Sequence, residues 1–227
     1  MPRLIHIEQR DPFVWYGSDD LDYQTQNEVK PYKLHINVAE NSLKKATETV
    51  IEMMHGVYCP IYKLKIVDPG IRDSCLQHQC DLYKNDASDK EEILAEIKEI
   101  ERYKNKCQIT IYIYNNENQY AVFFKELENR FKSLGIQPGD KMTFPDQPIS
   151  TYISGRYDRY SDGGYIKPTA NFSREEVSYI KEKQESCKFF NQLRQVLSEK
   201  SHGVPPAICF QLTDLHTTKG VDQGKDF

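Results

Sequence analysis

Lys33-Leu34-His35-Ile36-Asn37-Val38 is the stretch from which the fold is read. Successive side chains on a strand point to opposite faces. Leu34, Ile36 and Val38 therefore make an apolar face, and Lys33, His35 and Asn37 a polar one. Tyr62-Lys63-Leu64-Lys65-Ile66-Val67 repeats the pattern, with Lys63 and Lys65 opposite Leu64 and Ile66. Gln108-Ile109-Thr110-Ile111-Tyr112-Ile113-Tyr114 sets Thr110, Tyr112 and Tyr114 opposite three isoleucines. If these strands share one sheet over one core, its other face is a cationic, hydroxyl-bearing floor suited to a phosphorylated substrate.

Between the strands the sequence reads as helices. Asn41-Ser42 opens one running to His55, with Leu43, Ala46, Val50, Met53 and Met54 at core spacing. Residues 71–88 are polar and read as irregular. Ser88-Asp89-Lys90-Glu91 then opens a charged helix to Lys104 as a capping box. A helix over Tyr120–Ser133 carries Val122, Phe123, Leu127 and Phe131, and Gly135 stops it. Phe13-Val14-Trp15-Tyr16 reads as an aromatic knot in a polar, turn-rich N-terminal stretch. Gly155 through Gly164, with Arg156 and Arg159, reads as an ordered binding loop, and one helix is expected from Ser173 to Ser198. A short strand over Ala207–Leu212 and a loose tail complete the chain.

The expected class is α+β: a mixed or antiparallel sheet, helices packed on one face, a cationic active-site face on the other, and a C-terminal helical extension. We expect a domain over 1–170, its core at 30–165, and a helix-and-tail extension over 171–227. At 227 residues, 38% hydrophobic and 28% charged, the chain can bury a real core. A net charge of −4 argues against general nucleic-acid binding. No apolar run is long enough to span a membrane, and the N-terminus lacks the apolar core of a secretory signal peptide. The six cysteines are scattered, as in reduced proteins. Cys75, His78 and Cys80, with Cys59 upstream, offer four zinc-type ligands, but their spacing is not a common tetrahedral one, so free thiols are expected there.

Taken in order, Lys33–Val38, Leu64–Asp68, Gln108–Ile113, Leu134-Gly135-Ile136 and Tyr152–Arg156 through Asp162-Gly163-Gly164 resemble the phosphothreonine lyases that bacterial pathogens inject into host cells. They also resemble the related lyase domains of lanthipeptide synthetases. The resemblance implies β-elimination of phosphate from a phosphothreonine or phosphoserine in a protein, without metal or other cofactor. It implies Lys65 as the base, His35 as the acid, and Lys33 and Tyr112 as the rest of the catalytic pocket. Arg156, Arg102 and Arg159 would hold the phosphate. It further implies secretion into the host cytoplasm through a specialised system, with a phosphorylated host signalling protein, such as a MAP kinase activation loop, as partner. We expect a monomer that binds neither nucleic acid nor membrane. Some family members carry an N-terminal docking peptide, to which only Arg3-Leu4-Ile5-His6-Ile7 could correspond.

Tyr114 stands where the family shows a lysine, the Arg156–Gly164 loop is shorter, and residues 71–100 form an insertion. These departures keep open a phosphopeptide-binding module without catalysis. A third reading, a phosphoesterase pairing His35 with His216, lacks the hydroxyl residue that a His-x-Thr pair needs at Asn37. Taken singly, His35 could equally be a structural histidine and Lys63 and Lys65 a solvated sheet face.

Overall fold

The structure is a computed structural model that describes residues 4–10, 12–18, 32–55, 59–85, 89–113, 120–160, 164–166 and 172–198. Its strands are β1 (Leu4–Arg10), β2 (Phe13–Ser18), β3 (Tyr32–Ile36), β4 (Ile61–Val67), β5 (Ile109–Ile113), β6 (Gln147–Pro148) and β7 (Ile153–Tyr157). They form one sheet in the order β1-β2-β4-β5-β3-β7-β6, and every pairing is antiparallel. The helices are α1 (Leu43–Met54), α2 (Pro69–Asn85), α3 (Lys90–Arg102), α4 (Tyr120–Ser133), α5 (Arg174–Ser186) and α6 (Lys188–Ser198). Among the described residues no helix is long and apolar enough to cross a membrane. The class is α+β, as the alternating strands and the amphipathic stretches between them require.

The alternation read in β3, β4 and β5 sorts the sheet into two faces. Leu34, Ile36, Leu64, Ile66, Ile109 and Ile111 lie buried in one core with α1, α4 and α6. Ala46 and Val50 of α1, Phe124, Leu127 and Phe131 of α4, and Phe190 and Leu193 of α6 supply its other side. Burying side chains of this size contributes about 1.5–3 kcal/mol each. Gly155 of β7 lets α6 approach closely: a Cβ there would stand 2.6 Å from the Phe190 ring and 2.9 Å from Ile149 Cδ1. Gly155→Ala is therefore expected to destabilise the fold by about 1–3 kcal/mol through overpacking. Urea unfolding measures this, and an unchanged midpoint would mean that Phe190 can tip away freely.

Several expectations are corrected. The aromatic knot is a strand: β2 pairs with β4, and Phe13 and Trp15 share a face with Val67 and Lys65. Residues 69–85 are helical, not irregular. α2 packs against α3 and buries only Arg72, so it never needed the apolar stripe that would have announced it. α2 carries Cys75, His78 and Cys80 along 17 helical residues. Val122 is exposed, and Phe124 takes the core position of α4 instead. The C-terminal helix is two helices. α5 opens on the Ser173/Glu176 capping box and ends at Cys187, where an extended ψ of 103° re-aims Phe189 and Phe190 into the core. Arg156 is a strand residue of β7, not a loop residue. Ser88, Tyr114, His216, Arg3 and the 207–212 stretch lie outside the described residues.

Candidate active site

On the sheet's other face, the register aligns polar side chains in rows across the strands. Trp15 pairs with Lys65, Lys65 with Thr110, Thr110 with His35, and His35 with Ser154. One step along, Lys63 pairs with Tyr112 and Lys33 with Arg156. Two strand spacings, about 10 Å, separate the backbones of Lys65 and His35, with Thr110 between them. Both side chains line one cavity of about 200 Å³, together with Lys33, Arg102, Arg156, Glu99, Tyr103, Cys107, Thr110 and Tyr165.

His35 is buried, and its Nδ1 meets Asp146 Oδ1 at 2.7 Å. That leaves Nε2 for a ligand. Burial pushes the His35 pKa down to about 3, against the pull of Asp146 and with the help of Arg156 and Lys33. Burial alone would raise the Asp146 carboxyl, but His35, Arg156 and Arg102 outweigh it and hold the carboxyl well below the usual carboxylate range. The pair is thus a neutral imidazole donating to a carboxylate, able to accept a proton when a negative charge is set beside it.

Lys65 stands with Nζ 3.9 Å from the centre of the Phe13 ring and 5.5 Å from that of Trp15. These rings take water from the ammonium. Burial, then the charges of Lys33 and Arg156, lower its pKa to about 7, so a large share of it is neutral near neutral pH. Burial, reinforced by a cationic surround, thus makes a base out of a lysine. Between about 7 and the ordinary 10.5 the unfolded chain holds a proton that the folded chain has released. The contribution of this group to stability therefore rises with pH across that window.

Arg102, in the last turn of α3, donates Nη1 to Glu99 at 3.1 Å, and Nη2 to Cys107 Sγ at 2.9 Å and to Asp146 Oδ2 at 3.3 Å. Arg156 is almost fully buried; its Nη2 donates to the Tyr165 hydroxyl at 2.9 Å, while Nε and Nη1 have no hydrogen-bond partner among the described residues. A buried guanidinium with idle donors is expensive, and it is complementary to a phosphate or carboxylate that would take them. Lys33 donates to the same hydroxyl at 3.0 Å and pairs with Asp158 at 3.0 Å.

Five of the seven residues named from the sequence thus meet in one cavity: Lys33, His35, Lys65, Arg102 and Arg156. Tyr112 lies beside it in the Lys63–Tyr112 row, stacked on Trp15 with ring centres 6.0 Å apart. It does not line the cavity. Arg159 pairs with Tyr165 through the backbone, and its side chain is exposed and off the cavity wall.

Asp146, Cys107 and Tyr165 were missed. Asp146 sits between two prolines in a stretch that reads only as a stiff loop, and nothing local marks it as a partner of His35. Cys107 turns the chain into β5 at a positive φ of 53°, its N–H donated to Asn37 Oδ1 at 2.8 Å. Burial and then Asp146 push its thiol up to about 12. His35, Cys107 and Asp146 place ligand-type atoms within 4.8 Å of one another. Arg102 already donates to two of the three, and Lys33, Lys65 and Arg156 surround them, so the field favours an anion over a cation.

No protein-family model matches the sequence, and no curated protein matches it. Solved structures do. The type III effector and phosphothreonine lyase OspF from Shigella flexneri superposes with a TM-score of 0.51 at 16% identity, over 84% of this chain and 77% of that one. The VirA phosphothreonine lyase effector of Chromobacterium violaceum gives 0.51 at 17%, over 85% and 76%. A phosphothreonine lyase studied for its catalytic mechanism gives 0.53 at 15%, over 84% and 76%. The chain has the fold of the phosphothreonine lyases. The resemblance first seen in five short stretches therefore extends over most of the chain.

Proposed function

We propose that this protein is a phospholyase that removes phosphate by β-elimination from a phosphothreonine or phosphoserine in a protein substrate. The observation that carries the reading is that Lys65, lowered to a neutral-range base, and the Asp146-held His35 line one cavity with a buried arginine whose donors are idle. In the proposed reaction neutral Lys65 takes the Cα proton. The Cβ–O bond breaks as the Cα=Cβ bond forms, and protonated His35 gives its proton to the departing bridging oxygen. Arg156, Arg102 and Lys33 take the phosphate charge. Lys65 ends protonated and His35 neutral, and Asp146 stabilises the imidazolium in between. Every group the elimination needs is a side chain of this chain. Tyr112 would act from beside the cavity by backing Trp15 and Lys63, and Arg159 could join only through a change in the loop that carries it.

The likeness in fold to injected effectors supports delivery into a host cell, with a phosphorylated host signalling protein as substrate. The test is the mass of a phosphothreonine activation-loop peptide after incubation with the protein. Loss of phosphoric acid means elimination, and loss of HPO3 alone means hydrolysis. Retained mass with retained binding means a module that holds phosphate, a second reading favoured by the burial that lowers the His35 pKa. Arg156→Ala is expected to weaken phosphopeptide binding by at least about tenfold, since charge-assisted hydrogen bonds contribute about 1.5–3 kcal/mol. Arg156→Lys is not expected to restore it, because an ammonium lacks the fork. Titration calorimetry measures both, and unchanged affinity in Arg156→Ala would remove it from the phosphate site.

A further inference from the structure

Tyr165 is nearly half exposed, yet its hydroxyl is the meeting point of the two most buried cations of the site. Lys33 Nζ donates to it at 3.0 Å and Arg156 Nη2 at 2.9 Å. Both cations also stand over its ring, at 4.8 Å for Lys33 Nζ and 5.9 Å for the Arg156 guanidinium carbon. The residue is set there by backbone pairing between Ile166 N–H and the Asp158 carbonyl, and between Tyr160 N–H and the Gly164 carbonyl. The same turn sets the Asp158 carboxylate on Lys33.

The count of donors decides what this hydroxyl is for. A phenol oxygen that accepts from two cations has its own O–H left to give. An ammonium has three N–H groups, and those of Lys33 go to Tyr165 and Asp158 with one remaining. Arg156 gives one Nη2 proton to Tyr165 and keeps Nε and Nη1 idle. Its Nη1 stands 4.0 Å from Asp146 Oδ2, too far for a hydrogen bond. A latch that filled the anion site would have consumed these donors. Tyr165 leaves them free and fixes the groups that bear them.

We propose that Tyr165 is a substrate-binding residue: its hydroxyl holds Lys33 and Arg156 in place and donates its own proton to a phosphate oxygen of the phosphothreonine. This rests on the phospholyase reading and adds a ligand to the same site. The bond is made to the phosphate before and during elimination alike, so it acts on binding more than on the chemical step.

The test uses the full chain carrying Lys65→Ala, so that substrate is bound and not consumed, with and without Tyr165→Phe. Phenylalanine keeps the ring, its packing and its cation contacts, and removes only the hydroxyl. Affinity for a phosphothreonine peptide is expected to fall about tenfold or more, while affinity for the unphosphorylated peptide stays the same. In the chain with Lys65 intact, Tyr165→Phe is expected to raise KM by a similar factor, with the change in kcat the smaller of the two. A purely structural tyrosine would not split KM from kcat or phosphorylated from unphosphorylated peptide in this way. Unchanged affinity, or tighter binding as a released latch would give, overturns the proposal and leaves the phospholyase reading standing. Absence of any preference for the phosphopeptide in Lys65→Ala alone overturns both.

Discussion

Replacing Lys65 by alanine is expected to lower kcat for elimination by about a thousandfold, within the range for loss of a positioned general base, while phosphopeptide binding persists. The expectation follows from the surroundings of the residue and not from its type. Phe13 and Trp15 strip water from the ammonium, and Lys33 and Arg156 repel it, so that its pKa falls to about 7. The wild-type kcat/KM should accordingly climb with pH on its acid side as Lys65 loses its proton, a limb that is absent from the residual activity of the alanine variant. Removing a lysine that is charged at a cost in the folded chain should not weaken the fold below pH 7. A thermal melt there separates lost chemistry from lost structure. Turnover at the wild-type rate in Lys65→Ala would end its assignment as the base.

His35→Ala is expected to cost about a hundred- to a thousandfold in kcat. Its proton has a traceable source. Burial holds His35 neutral, with a pKa of about 3, so the proton that the leaving phosphate needs is not resident on the imidazole. A phosphothreonine has a second ionisation near about pH 6, and its monoanion can hand that proton to Nε2 as the complex forms. The wild-type kcat/KM should therefore also fall on an alkaline limb, giving a narrow bell with its maximum between the substrate's ionisation and that of Lys65. Asp146→Asn should lose less than His35→Ala, because it loosens the imidazole at Nδ1 and withdraws the charge that steadies the imidazolium. A rate that stays flat above neutral pH, or a His35→Ala variant as fast as the parent, would show that the leaving oxygen is not protonated through this residue.

What could be read from the sequence was what depends on alternation. Lys33, His35 and Lys65 were legible because a period of two assigns each strand residue to a face, and because cations recurred on the face away from the isoleucines. Arg156 was legible as a charge beside glycine, though read as part of a loop. Asp146 was not, since its value lies in facing His35 across 111 residues of chain, a relation no local pattern encodes. α2 escaped for the opposite reason: with only Arg72 buried it has no apolar period to detect. Phe13 and Trp15 were seen as bulk. Their role in lowering the Lys65 pKa appears only once β2 is known to lie beside β4.

The loop that presents Asp146 is tied down from behind. Gln184 of α5 donates to the Pro145 carbonyl, Arg194 of α6 to that of Pro148 at 3.4 Å, and Phe190 fills the space above Gly155, one residue before Arg156. A fragment ending just after Tyr165 would keep every group that the proposed site sets on a phosphate. It would lose the struts that keep the acid's carboxylate partner and the guanidinium pointing at the same spot. Tolerance to trimming at this end would therefore be set by mechanical support, with the first symptom a slackened pocket and not a missing one.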